Sequence, residues 1–296
     1  MLVHGFRLFI FAAMLTIYPS QVPVQTLQHY LQSAVAPRPI ALASTLNSNG
    51  DINLSPFSFF NIFGTNPPTL IFSPNRRIRD GSIKHTLENL QEVPEVVINM
   101  VHYGIVEQVS LASCEYEKGI NEFTKSGLTP VPSEKISPPR VGESQAAFEC
   151  AVTQIIHLGE KGGAANLVIC EILVAHFSED ILGENNMIDQ QKTDWVARLG
   201  ADWYTRVNNT SLFEIPKPNI HKGIGVDQIP KHIRNNPLFD GNDLGRLGNI
   251  EKLPTKEEIF QFKAKHPQYN SIESAKQFLS QKMIVEAWMV LLSTNK

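Results

Sequence analysis

Cysteine is scarce: only Cys114, Cys150 and Cys170 stand among 296 residues. Three widely spaced cysteines exclude a disulfide scaffold and a Cys-based zinc site, and they fit a reducing compartment. Positive charge is not in excess either. Lys plus Arg total 26 against 29 Asp plus Glu, a formal charge of -3, so no general cationic field exists to hold nucleic acid or an anionic membrane. The 18 glycines form no GxGxxG dinucleotide fingerprint and no Walker loop, and no metalloprotease helix motif occurs. Long hydrophobic runs are also missing. The apolar stretch in Met1 to Ala13 (MLVHGFRLFIFAA) is about half the length needed to span a bilayer. One arginine ahead of it gives the outline of a signal peptide, whereas Met14 opens an ordinary polar start and is the preferred alternative initiation site.

What is present is enough apolar residue, 42%, for a substantial core in one large domain or two ordinary ones. IALASTLNSNGDINLSPF reads as a β-hairpin turning at Asn49-Gly50-Asp51, with Ile52 and Leu54 on one face. After a Phe-rich stretch (Phe57, Phe59, Phe60, Phe63), TLIFS reads as a strand. A helix follows with Ile83, Leu87 and Leu90 on one face, capped by Ser82 or Asp80. EVVINMV is a buried strand. Ser144 to Leu158 and Leu167 to Phe177 read as two long strands joined through Gly159, Gly162 and Gly163. Strands do not alternate with helices, and long β segments meet at glycine turns. This predicts a closed or nearly closed antiparallel barrel rather than a doubly wound sheet. From Gly223 the pattern is helical, and the run from Ser271 to Leu292 reads as one long apolar helix. Ile215 to Gly223, with two prolines, is the candidate linker.

The densest polar cluster is Ser55-Pro56-Phe57-Ser58-Phe59-Phe60-Asn61, followed by Ser73 to Thr86, which contains Arg76, Arg77, Arg79 and Lys84. A strand end, a glycine turn and a helix start would offer backbone N–H groups, hydroxyls and cations to a phosphate. The bland alternative is a solvated turn in which Lys84 pairs with Glu88 one helical turn on. His102, His157 and His176 lack metal-ligand spacing and read as hydrogen-bonded core or rim residues; no metal ligand is expected. No catalytic side chain stands out.

In order and spacing, PRPIALASTLNSNGDINLSPFSFFN, NPPTLIFSPNRRIRDGSIKHTLENL, SLASCEYEKGINEF and GLTPVPSEKISPPRV resemble the flavin-reductase-like, FMN-binding split-barrel family. This group includes flavoredoxin-type proteins and reductase components of two-component monooxygenases. The resemblance implies a mainly β fold with helical additions: an antiparallel, Greek-key-like split β-barrel over residues 23–214, after an extension at 1–22 and before a helical annex at 215–296. It implies FMN as cofactor, NAD(P)H as donor, a homodimer, and a redox partner protein as a further option; the cysteine content fits a cytoplasmic site, and the charge balance and short apolar run predict no nucleic-acid or membrane partner.

Residue by residue, the resemblance places Arg38, Pro39 and Ile40 along the flavin and Ser55, Ser58 and Asn61 near its ring and ribityl chain. The phosphate falls to Ser73, Arg79, Lys84 and Thr86. His85 stands where the family often has Asp and reads as solvent-facing in preference to a phosphate donor. Cys114 stands where a Thr is common and reads as a small buried hydrophobe. Trp203 and Tyr204 either border the cofactor or pack in the core. The implied function is an NAD(P)H-dependent flavin reductase. An FMN electron carrier and a non-catalytic FMN-binding protein are the alternatives.

Overall fold

The computed structural model describes residues 14–215 and 222–294. The Met1 to Ala13 segment lies outside them, as does most of the candidate linker, residues 216–221. Two compact units divide between Leu212 and Phe213.

The first unit opens with α1 (Val24–Ala34), β1 (Arg38–Pro39), β2 (Ala41–Leu46), β3 (Ile52–Phe57), β4 (Phe60–Thr65), β5 (Pro68–Phe72), α2 (His85–Glu92) and β6 (Glu95–Met100). It continues with α3 (Val106–Leu111), α4 (Glu122–Ser126), β7 (Pro130–Val131), β8 (Arg140–Val141), β9 (Ala146–His157), β10 (Asn166–Phe177), β11 (Val196–Arg198) and β12 (Tyr204–Arg206). Seven strands form one antiparallel sheet in the order β3-β2-β6-β9-β10-β5-β4. Strands β3 and β4 are its edges, so the sheet is not closed. That corrects the expectation of a closed or nearly closed barrel. A smaller sheet, β1-β11-β12, pairs Arg38 with Arg198 and Pro39 with Ala197.

The predicted hairpin is β2–β3, in register from Ala41 opposite Phe57 to Leu46 opposite Ile52. Gly50 at its turn has φ +85°, a conformation that glycine adopts without steric cost. Strand β2 is buried on both faces, so small and apolar residues fill it and even its polar pair, Ser44 and Thr45, is buried. Ala41 and Ala43 face a core with Phe57, Phe72, Leu87, Leu90, Ile98 and Val168. Ile40 and Leu42 face another with Leu54, Val109, Phe123 and Val196. The two long strands pair as expected, with register shifts at Ile169/Cys170 and Ile172/Val174.

Several local expectations are corrected. Helix α2 starts at His85, after Lys84, and has no side-chain cap. Asp80 instead accepts from the backbone and hydroxyl of Ser82 in a turn outside the helix. Ile83 precedes the helix yet still packs on the core. Helix α1 and edge strand β4 were not legible in the sequence pattern.

The second unit contains α5 (Lys231–Arg234), α6 (Gly241–Gly248), α7 (Lys256–Lys265), α8 (Ile272–Ser280) and α9 (Ile284–Ser293). The run expected as one helix is two, broken where Lys282 takes φ +62°. The break lets α9 fold back on α8. Phe278, Leu279, Trp288 and Leu291 then bury together with Ile233, Phe239 and Leu247, and the Trp288 indole donates to the Leu247 carbonyl at 2.9 Å. Most of this segment's apolar surface is thus covered within its own unit. Among the described residues, no helix is long and apolar enough to cross a membrane.

Candidate functional site

A cleft of about 610 Å3 lies in the first unit, within the roughly 300–1,000 Å3 typical of small-molecule sites. Gln25, Gln28 and Gln32 line it from one face of α1, and Ile40, Pro56, Phe57 and Phe59 form its apolar wall. The loop after β5 contributes Ser73, Asn75, Arg76, Arg77, Ile78 and Arg79, and Lys84 stands just before α2. Ser110, Ser113 and Glu115 close another side, and Arg198 and Tyr204 come from the β11–β12 hairpin. Glu115 is the one carboxylate among these lining residues, facing six cations.

The arginine loop is held from behind by the β9–β10 turn. Arg76 N donates to Ala164 O at 2.9 Å, and Gly163 N donates back to Arg76 O at 3.0 Å. A Cβ on Gly162 would lie 2.5 Å from the Ile78 carbonyl oxygen and 2.9 Å from that of Arg77, so only glycine allows this approach.

Most of the loop's donors are engaged. Arg77 Nε donates to Glu115 at 2.9 Å, while its Nη1 reaches Ser82 Oγ at 3.1 Å and the Ile83 carbonyl at 2.5 Å. Arg79 pairs with Asp80 at 3.0 Å and with Glu115 at 2.6 Å. The hydrogen bond from Arg77 holds the Glu115 carboxyl below its ordinary range. Arg76 Nη1 donates to the Gly81 carbonyl at 3.0 Å, but its buried Nε has no partner among the described residues. Lys84 has no hydrogen bond or ion pair among the described residues. Burial, then repulsion by Arg77, pushes its ammonium pKa down. Lys84 does not pair with Glu88, whose partner is Lys118 at 2.9 Å.

Of the expected site residues, Arg38, Ile40, Ser58, Ser73, Arg79 and Lys84 line the cleft. Ser55 and Thr86 line a smaller adjoining cavity, which shares Arg77, Lys84, Ser113 and Glu115 with it. Thr86 Oγ1 donates to Asn53 Oδ1 at 2.7 Å, and Asn53 Nδ2 donates to buried Glu122 at 2.8 Å. Burial raises the Glu122 pKa. Pro39 and Asn61 line neither cavity. Asn61 is exposed on edge strand β4, where its Oδ1 accepts from Ile62 N. Ser73 Oγ accepts from Asn166 N at 3.0 Å and donates to Asn75 at 2.6 Å. Arg38 is largely committed to the Gln32, Val35 and Leu199 carbonyls.

Two expectations about side-chain environment are corrected. His85 is half-buried and lines the smaller cavity instead of facing solvent. Cys114 is exposed there instead of buried, because it sits in the turn leaving α3. Tyr204 lines the cleft beneath Arg198, whose guanidinium carbon lies 4.5 Å from the ring centroid, while Trp203 is 73% exposed. Neither packs in the core. Sequence reasoning missed the glutamines of α1 and did not carry Ser110 or Glu115 into the site. Both stand in SLASCEYEKGINEF, so the signal was there as a motif without a role.

A family model described as flavin reductase like domain matches residues 33–195, more than half of the chain. An uncharacterized curated protein of Halalkalibacterium halodurans is 35% identical over 192 residues, covering 64% of this chain and 90% of the relative. The crystal structure of nitrilotriacetate monooxygenase component B from Bacillus cereus matches with TM-score 0.64 and 28% identity, over 69% of this chain and 100% of that one. A split barrel domain protein from Shewanella frigidimarina, assigned to the flavin reductases, matches with TM-score 0.58 and 28% identity, over 67% of this chain and 95% of that one. The open antiparallel sheet with its helices is accordingly the split-barrel fold, and the chain belongs to the flavin reductase like domain family.

Proposed function

We propose that the cleft binds FMN and that the protein is an NAD(P)H-dependent flavin reductase. The observation that carries this reading is Lys84: a half-buried ammonium, flanked by Arg77 and Arg79, that makes no hydrogen bond or ion pair among the described residues and feels Glu115 only at a distance. Together with the unpartnered Arg76 Nε, it fits a ligand that ends in a phosphate. The apolar wall of Ile40, Pro56, Phe57 and Phe59 fits a flat aromatic ring system.

When bound, FMN supplies the hydride acceptor, and its own ring chemistry releases the electrons afterwards. The chain's part is to bind and orient. Lys84 and Arg79 hold the phosphate, with Arg76 beside them, and Ser73, bonded to Asn75 and Asn166, orders the start of the loop. Thr86 anchors the first turn of α2 through Asn53, which keeps Lys84 in place. Arg38, Ile40 and Ser58 border the ring and ribityl chain, Ser55 stands in the adjoining cavity, and Pro39 holds Ile40 in place through the β1–β11 pairing. Arg198 and Tyr204 supply a cation and an aromatic face at the cleft for the nicotinamide donor.

A homodimer belongs to this reading. It is supported by Ile62 and Phe63, 57% and 66% exposed on edge strand β4, beside Asn61, which lies outside its own chain's cleft. A monomer mass by light scattering at full FMN occupancy would count against it. A cytoplasmic site is supported by three free cysteines, two of them buried.

Anaerobic mixing tests the activity. The FMN-loaded protein should bleach rapidly with NADH or NADPH alone. Bleaching only with dithionite or a protein donor would make it an electron carrier, and a protein that ignores FMN would sink both readings.

A further inference from the structure

Resting on that reading of the cleft, we infer that Glu115 is a built-in competitor of the ligand's phosphate, making the flavin exchangeable instead of permanently held. Its carboxylate bridges Arg77 Nε and Arg79 Nη2 at 2.9 and 2.6 Å. It therefore occupies donors that an incoming dianion would otherwise take, and it does so within the cleft that Lys84 also lines.

Two features separate competition from mere ordering of the arginines. Arg77 is anchored independently through Ser82 Oγ and the Ile83 carbonyl, and Arg79 through Asp80. Removing the Glu115 charge leaves both guanidinium groups held by these other contacts, with donors released toward the cleft. Glu115 itself is a surface carboxylate, its side chain 40% exposed, in an irregular segment between α3 and α4. It can swing toward water when an anion arrives: its pair with Arg79 is exposed and weak, and Arg77, 16% exposed, keeps its Ser82 and Ile83 contacts.

Charge accounting points the same way. Arg76, Arg77, Arg79 and Lys84 carry four positive charges. Asp80 and Glu115 neutralise two, and the remaining two match a phosphate dianion. With Glu115 in place a phosphate dianion just neutralises the loop; without Glu115 the dianion meets three uncompensated positive charges and binds more tightly.

The test is fluorescence titration of FMN and riboflavin against the full chain and its Glu115→Gln variant, with inorganic phosphate as a competitor. The variant should bind FMN about ten-fold more tightly and release it more slowly, with riboflavin affinity unchanged within about two-fold. Inorganic phosphate should displace FMN at lower concentration from the variant than its improved FMN affinity alone would allow. Glu115→Asp retains the charge but is too short to bridge both arginines, so its FMN affinity should fall between the two. If the natural chain prefers FMN to riboflavin while Glu115→Gln binds FMN equally or more weakly, the competitor role is overturned and the FMN reading stands. Weaker FMN binding by Glu115→Asp than by the natural chain overturns it as well. Equal FMN and riboflavin affinities in the natural chain overturn the phosphate assignment and this inference together.

Discussion

Arg38 Nη2 donates to the Leu199 carbonyl at 2.8 Å across 161 positions of sequence. The same guanidinium reaches the Gln32 and Val35 carbonyls, the latter at 2.7 Å. One side chain thus ties the end of α1 to the β11–β12 hairpin, two walls of the cleft. Arg38 is 7% exposed. Burial, then the nearby charge of Arg198, lowers its pKa.

Arg38→Lys should therefore destabilise the fold, because one ammonium cannot span carbonyls on both elements. Losing one charge-assisted bond costs about 1.5–3 kcal/mol. Urea unfolding should show a lower midpoint with an unchanged slope. A midpoint equal to that of the natural chain would show that the tie contributes nothing.

Lys84→Ala should weaken FMN binding by about ten-fold to a hundred-fold, the effect of one charge-assisted hydrogen bond, and leave riboflavin nearly unaffected. The preference for FMN should also fall with rising pH as Lys84 deprotonates, starting below the ordinary lysine range because burial and Arg77 lower its pKa. The ratio of FMN to riboflavin affinity measured from neutral to alkaline pH checks this. A flat ratio in the natural chain would remove Lys84 from the phosphate site.

Gly162→Ala places a methyl 2.5 Å from the Ile78 carbonyl oxygen, so the turn and the arginine loop must part. We expect a stability loss of about 1–3 kcal/mol from overpacking and a larger loss of affinity for FMN than for riboflavin. Equal losses for both ligands would mean that the loop's position does not control phosphate binding.

Glu149 is fully buried and accepts from Glu134 N at 2.8 Å, Lys135 N at 2.7 Å and His176 Nε2 at 2.8 Å. Burial raises its pKa, but these bonds outweigh it and the net shift is downward. Its folded pKa is below its unfolded one. The stabilisation is therefore present above the ordinary glutamate range and lost as pH falls through the folded value. Glu149→Gln should lower stability at neutral pH and flatten the acid side of the stability profile. An unchanged acid limb in urea melts would refute the assignment.

Much of the fold was legible because strands announce themselves locally. The Asn49-Gly50 turn and the Val- and Ile-rich runs of β9 and β10 each satisfy backbone and side-chain preferences within a dozen residues. Strand β4 was not, since FNIFGT stands at an edge and exposes Ile62 and Phe63 instead of alternating. The break at Lys282 was also illegible. No proline or glycine marks it, and a positive φ at a lysine is held there by the packing of α9 on α8, which no local preference records.

The sequence by itself determined the antiparallel β character, the helical tail and the membership of Ser73, Arg79 and Lys84 in one polar cluster, because these follow from periodicity and collinear motifs. Only the tertiary structure decided which cations are still available. Arg38 reads the same in sequence whether it faces a ligand or three carbonyls, and Lys84 whether it pairs with Glu88 or with nothing. Two of those carbonyls, Gln32 and Val35, are near in sequence, but the deciding partners are far along the chain: Lys118 lies 30 positions from Glu88 and Leu199 lies 161 from Arg38. A hydrogen bond is fixed by distance in space, and distance along the chain carries almost none of that information.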